Sequence, residues 1–266
     1  VKMFSVVIPC FQFNQLLLKS LHCVQNQELK PKEIIIVFSN KISKSQKNLL
    51  IKKNKNLRFF FSNCGNASEN RNLGALKAKG SYIAFLDDDD IWGKKYLKQI
   101  NKILKKKRSK LVITWLNKIK NNRISKFKHI NKNIRAEDLF ASNPGIIGSN
   151  LVVEKKIFKK LGGFDKKLLS SEDKDFLIRY LDKKFKFEIL KKRLVNHRQK
   201  NENQLSFDTL GKQFFLKKYE NRMSNKDIYE NKKKIVFLKL KKLSLLKKLI
   251  YYLYYFYILG RYRFRF

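Results

Sequence analysis

Five short apolar runs, spaced so that a helix-length stretch separates each from the next, dominate the first 116 residues. FSVVIP (4–9), EIIIVF (33–38), LRFFF (57–61), SYIAFL (81–86) and KLVITWL (110–116) are rich in β-branched or aromatic side chains. Most are too continuously apolar to leave one face in water, which is the mark of strands buried on both sides. The intervening stretches, about 12–26, 43–53, 66–79 and 92–107, carry polar residues along one side and predict covering helices. Alternation of this kind folds as βαβ units. The expected class is therefore α/β, a doubly wound, mostly parallel sheet with flanking helices.

Open sheets of this type bind ligands in the crevice beyond the carboxyl ends of their strands. The residues standing there are Cys10 to Gln12, Ser39 to Lys41, Asn63 to Asn66, and the run Asp87-Asp88-Asp89-Asp90 directly after SYIAFL. Four adjacent carboxylates at one strand end resist joint ionisation unless a cation or a helix N-terminus compensates them. A hard divalent ion would, and Mg²⁺ in particular shares its coordination sites with substrate phosphates. The competing expectation is that Asp90 caps a helix beginning at Ile91-Trp92. That role leaves Asp87 and Asp88 without a purpose.

Farther along, 117–135 is basic with a turn signal at Asn121-Asn122, suited to a hairpin or loop. A second block from about 144 to 198 contains an apolar run at Ile146 to Val153, a helix from Glu154 to Leu161, and a Gly162-Gly163 stop. It continues with a helix from Glu172 to Leu181 and two strands near 185–190 and 193–197. NENQ, from Asn201, reads as a linker. The expected division is a catalytic domain over 1–200, with 1–116 as its nucleotide-binding half and 117–200 as its acceptor half, followed by a basic, aromatic-rich helical extension over 201–266.

Lys and Arg number 62 against 21 Asp and Glu, a formal net charge of +41. Such a balance favours polyanions, either nucleic acid or an anionic lipid surface, although a general Lys-rich bias gives the same figure. Four aspartates in the crevice would repel a nucleic acid there, and no nucleic-acid-binding module is recognisable. Cys10, Cys23 and Cys64 lack the paired spacing of a zinc site and fit a reducing compartment. VKMFSVVIPC runs into the first strand without a charged leader, so a cytoplasmic protein is expected.

Residues 231–266 contain no acid and mix Lys and Arg with Leu, Ile, Tyr and Phe. The apolar-aromatic run from Leu249 to Leu259 is 11 residues, short of the roughly 20 a spanning helix needs. Such a segment suits the headgroup boundary of an anionic membrane, placing the protein peripherally at the inner face of the cytoplasmic membrane. Packing against the catalytic domain or a second subunit, as a homo-oligomer, is the alternative.

NCGNASENRNLGALKAKGSYIAFLDDDDIW (63–92) resembles the core of family 2 glycosyltransferases of the GT-A fold: a polar turn, a helix carrying Arg-Asn-x-Gly, then a strand ending in the Asp-x-Asp motif. SVVIPCFQFNQLLLKSLHCVQNQ resembles that family's first strand and helix, and LGGFDKKLLSSEDKDFLIRY (161–180) its acceptor-side segment. The resemblance spans residues 4–198 in order and implies an inverting transfer from a nucleotide-sugar donor, UDP-linked by preference, to a hydroxyl of a glycan or lipid-linked acceptor in surface polysaccharide synthesis. It implies Asp173 as catalytic base, Asp89 and His197 as ligands to Mn²⁺ or Mg²⁺, and Asp87 and Asp88 on the nucleotide side. Pro9, Phe11 and Arg71 match positions that face the nucleotide. In the family the second strand ends in two aspartates. Here Ser39 and Asn40 stand in their place, which puts the uridine preference in doubt and leaves an inactive scaffold as a rival reading.

Overall fold

The computed structural model describes residues 3–52, 56–62, 65–121, 123–199 and 208–241. Its first half winds as the sequence predicts. Strand β1 (Phe4–Cys10) leads to helix α1 (Gln15–Gln25), β2 (Glu33–Phe38), α2 (Lys44–Lys52), β3 (Leu57–Phe61), α3 (Ala67–Lys77) and β4 (Tyr82–Phe85). These four strands lie parallel in the order β3-β2-β1-β4. Along β1, Phe4, Val6 and Ile8 enter one apolar cluster while Val7 enters the cluster on the opposite face. Burial on both faces at about 1.5–3 kcal/mol per large side chain drives the docking of helices on each side.

Local chemistry sets the helix starts. Asn14 caps α1 by accepting from the Leu17 N–H at 2.9 Å, and Asn66 caps α3 through Ser68 at 2.8 Å. Gly74 lets α3 lie hard on the sheet, because a Cβ there would sit 2.4 Å from Val7 Cγ1.

The sheet then turns mixed. A two-residue strand β5 (Ile91–Trp92) precedes α4 (Tyr96–Lys107), and the long β6 (Leu111–Lys120) folds back on β7 (Arg123–Lys126). The expected hairpin thus forms, with Asn121 at φ 48° in its turn. Beyond it come β8 (Leu151–Glu154), α5 (Lys155–Lys160), α6 (Glu172–Asp182) and β9 (Glu188–Arg198). β8 runs antiparallel between β4 and β6, and β9 parallel to β6. The stop at Gly162 and Gly163 is real: both have positive φ, 78° and 71°.

Two expectations need correction. The helix foreseen from Ile91 begins instead at Tyr96, because Ile91 and Trp92 pair with Asn196 and Val195 of β9. The two strands foreseen near 185–190 and 193–197 are one, β9, whose exposed Lys191 and Lys192 pass a bulge opposite Thr114 to Leu116.

Helices α7 (Thr209–Tyr219) and α8 (Asn225–Lys241) follow. Helix α7 shares the core of the preceding half, with Phe215 and Tyr219 buried in the same cluster as Phe140 and Phe176. Asp175, fully buried on α6, accepts from Tyr219 Oη at 2.8 Å, pairs with Lys218 at 2.6 Å and takes Arg179 on its other oxygen. Asn231 of α8 donates to the Phe140 carbonyl at 3.1 Å. No described helix is long and apolar enough to cross a membrane. The linker from Asn201 and the tail beyond Lys241 lie outside the described residues.

Candidate active site

The crevice expected beyond the carboxyl ends of β1, β2 and β4 is bounded by the start of α6, which Arg71 ties to the β4 end. On its first wall the β1 end presents Phe11, 57 % exposed, above buried Pro9. The adjacent β2 end follows it closely, with Ser39 N–H donating to the Cys10 carbonyl at 2.9 Å and Asn40 N–H to that of Phe11 at 3.1 Å. Ser39 is buried, and its hydroxyl accepts from Asn70 Nδ2 at 2.9 Å. Asn40 is exposed, so of the two residues replacing the family's aspartates its carboxamide is the one turned to solvent.

The aspartate run divides its labour. Asp87 donates its N–H to Ser149 Oγ at 2.9 Å and receives Arg71 Nη2 at 2.6 Å. Asp88 Oδ2 accepts from Asn14 at 2.9 Å and from the Cys10 thiol at 3.2 Å, tying the β4 end to the β1 end. Asp89 is half-buried. Asp90 is fully buried and caps nothing. It accepts the Arg198 N–H at 2.8 Å and lies 3.1 Å from His197 Nδ1, contacts made possible by the β5–β9 pairing.

Arg71 does not line the open crevice. It is 4 % exposed and bridges the two walls, Nη2 on Asp87 and Nη1 on Glu172 at 2.8 Å. Burial disfavours its charge, yet Asp87, Asp173 and Glu172 together outweigh that and hold the guanidinium charged. Gly148 makes room for it, since a Cβ there would fall 2.8 Å from Nε.

Asp173 follows Glu172 on the first turn of α6. Its Oδ1 is buried and has no hydrogen-bond partner, as has Arg71 Nε. Burial first, then the negative charges of Glu172 and Asp87, raise the Asp173 carboxyl well above the usual range, against the pull of Arg71 and His197. Burial likewise raises Glu172, with Arg71 opposing. Burial works against a charged His197, but the hydrogen bond it donates to Asp90 and the charges of Asp90, Asp87 and Asp89 win and lift it to about 9.

Among the described residues no group of three or more His, Cys, Asp or Glu side chains forms a ready metal cage. Asp87 is engaged by Arg71 and Asp90 by His197 and Arg198. The residues expected to hold an ion are Asp89 and the Nε2 edge of His197, whose Nδ1 is oriented by a carboxylate as metal-bound imidazoles usually are. One carboxylate and one imidazole fit a divalent ion that arrives with a diphosphate and takes its other ligands from phosphate and water.

Sequence reasoning placed most of these residues but did not find the bridge. Glu172 was legible only as the neighbour of Asp173, and no local signal links it to Arg71, 101 residues earlier. Ser149 supports the Asp87 backbone and accepts Trp92 Nε1 at 2.8 Å through its carbonyl. Asn150 serves the turn, donating to the Thr114 and Gly145 carbonyls.

Comparison with known proteins agrees with this architecture. The family pattern described as Glycosyl transferase family 2 matches residues 5–162. An uncharacterized glycosyltransferase of Methanocaldococcus jannaschii is 32 % identical over 219 residues, covering 76 % of this chain and 73 % of that protein. The poly(ribitol-phosphate) beta-N-acetylglucosaminyltransferase TarP of Staphylococcus aureus is 33 % identical over 117 residues, covering 42 % of this chain and 36 % of that one. The crystal structure of S. aureus TarS 1–349 in complex with UDP-GlcNAc superposes with a TM-score of 0.64 at 17 % identity, over 92 % of this chain and 69 % of that one, and establishes the GT-A fold.

Proposed function

Given that the chain belongs to glycosyl transferase family 2, we propose that it transfers a sugar, with inversion, from a nucleoside-diphosphate donor to a hydroxyl of a phosphate-bearing glycan or lipid-linked acceptor. The observation that carries the reading is the buried, unpartnered Oδ1 of Asp173 held across the crevice from the aspartate run. A buried carboxylate oxygen without a donor is unusual. An acceptor hydroxyl would satisfy it.

The donor's base lies against exposed Phe11 with Asn40 at its edge, and an amide can both donate to and accept from a nucleobase. UDP remains the preferred nucleotide. Asp87, steadied by Arg71 and Ser149, sits toward the ribose. Asp89 and His197 would hold Mn²⁺ or Mg²⁺, which when bound supplies Lewis-acid neutralisation of the departing diphosphate. Asp173 then takes the acceptor hydroxyl proton as that oxygen attacks the anomeric carbon, and no covalent intermediate forms. Glu172 does not compete for the proton, since Arg71 occupies it.

TarP is named for a poly(ribitol-phosphate) acceptor, which supports a phosphate-bearing acceptor here. The acid-free stretch 231–266 suits an anionic membrane on which such an acceptor is built.

Donor hydrolysis tests the reading. With Mn²⁺ and UDP-sugars, slow release of nucleoside diphosphate is expected, and Asp89→Ala abolishes it. Absence of release and of nucleotide-sugar binding in a folded protein overturns the reading in favour of an inactive scaffold.

A further inference from the structure

A group of lysines beside the catalytic pair has no part in the chemistry above. Lys174 follows Asp173 on α6 and is 7 % exposed. Its Nζ donates to the Leu139 carbonyl at 3.1 Å and more weakly to that of Phe140 at 3.5 Å, and lies 4.0 Å from the centroid of the Phe215 ring. Lys234 of α8 donates to the next carbonyl, that of Ala141. Two ammonium groups thus gather on three consecutive carbonyls. Lys212 of α7 completes the group.

The first turn of α7 abuts the approach to α6. A Cβ on Gly211 would strike Ser170 N at 2.3 Å, and Ser170 Oγ donates to the Asp208 carbonyl at 3.2 Å. Lys212 follows directly on this contact; burial and then Lys234 lower it, while Asp208 and Glu172 pull the other way. Burial first, and then repulsion by Lys234 and Lys212, brings Lys174 down to about 7. Lys234 is lowered too, first by burial, with Glu230 opposing.

Bringing cations together in a half-buried recess is costly unless an anion joins them. The protein does have acids to spend nearby: Lys218, farther along α7, takes both Asp165 and Asp175. Among the described residues Lys174, Lys212 and Lys234 make no such ion pair. Burial decreases from Lys174 through half-buried Lys212 to exposed Lys234, so the group runs from the interior to the surface. Helix α6 ties it to Asp173, the residue directly before Lys174.

We propose that Lys174, Lys212 and Lys234 form an anion subsite that binds a phosphate group of the acceptor, presenting the acceptor's hydroxyl to Asp173. The subsite rests on the glycosyl-transfer reading for its role, though not for its existence. Lys212 and Lys234 supply the direct contacts, as charge-assisted hydrogen bonds to phosphate oxygens. Lys174 supplies fixed positive charge from beneath. Phosphate binding also relieves the mutual repulsion of the three, so the recess is more stable filled than empty.

The test titrates glycerol phosphate into the ¹⁵N-labelled full chain with UDP present, following backbone amide shifts. Perturbations concentrated on Leu139 to Ala141 and Gly211 to Lys212 are expected. In Lys212→Gln/Lys234→Gln the affinity falls by about tenfold or more, the loss of two charge-assisted contacts. Lys234→Gln alone, at an exposed position, gives a smaller loss and guards against misfolding of the double variant. Asp89→Ala binds glycerol phosphate like the parent chain, which separates this subsite from the donor site and from the outcome of the hydrolysis assay. Shifts scattered over the surface lysines, or affinity unchanged in the double variant, overturn the proposal. A response at these residues to phosphatidylglycerol vesicles but not to the soluble phosphate also overturns it, assigning the recess to lipid headgroups.

Discussion

Arg71 and Asp173 show how differently two buried ions in one crevice can serve. Arg71 has both forks occupied, and its removal strands two carboxylates of which Glu172 is nearly inaccessible. Arg71→Met is therefore expected to destabilise the protein by about 3–5 kcal/mol, read as a lower midpoint in urea unfolding. Asp173→Asn keeps shape and removes only proton affinity. Thermal stability should hold or rise, because a buried carboxyl next to Glu172 loses its charge, while turnover falls by about 10²–10⁴-fold. The pH dependence follows from the raised Asp173 carboxyl. The base works only when ionised, so turnover should climb with pH through a transition lying above the ordinary Asp range and flatten beyond it. A limb at or below that range would show that another group is being titrated. At this scale the aspartate run stood out, because clustered carboxylates need a reason, whereas Asp173 was named only through the family resemblance. The partners of Asp90 were not, because they come from β9, more than 100 residues away in the chain.

Elements were legible where burial is two-sided and hidden where it is not. β1, β2, β3 and β4 announce themselves as unbroken apolar runs, and the sequence places their ends to within a residue or two. β9 carries Lys191, Lys192 and Arg193 in its middle. That basic stretch imitates a turn, yet β9 takes it up as a bulge of extra residues against β6 and continues as one strand. Ile91-Trp92 misled for the opposite reason: two residues after an acidic run resemble a capped helix start, and only a distant strand shows them to be β5. The packing of α3 supplies a sharp test. Gly74→Ala drives a methyl into Val7 and Val37, so a loss of about 1–3 kcal/mol is expected in chemical denaturation despite the better helix propensity of alanine.

At the scale of the whole molecule, charge governs. A net +41 spread over the surface repels itself, so adding sodium chloride should raise the melting temperature, in contrast to a protein held by surface ion pairs. A second dependence comes from Lys174, at about 7 in the fold against 10.5 in an unfolded chain. Between these values the unfolded state binds more protons, so this group makes stability increase as pH rises from about 7 toward 10.5. Lys174→Met should flatten that part of the profile and raise the melting point at neutral pH. The excess of Lys was plain in the sequence, but its concentration next to the base was not, since α6, α7 and α8 contribute one lysine each. The guanidinium between β4 and α6 has one more consequence. Enzymes of this architecture are tempting to recombine by grafting one relative's acceptor segment onto another's nucleotide half, and here the seam between the two would run through a single shared counter-ion. A transplanted segment lacking an acid at position 172 would leave Arg71 half-neutralised at the heart of the chimera, so the two halves can be exchanged only together with their common partner.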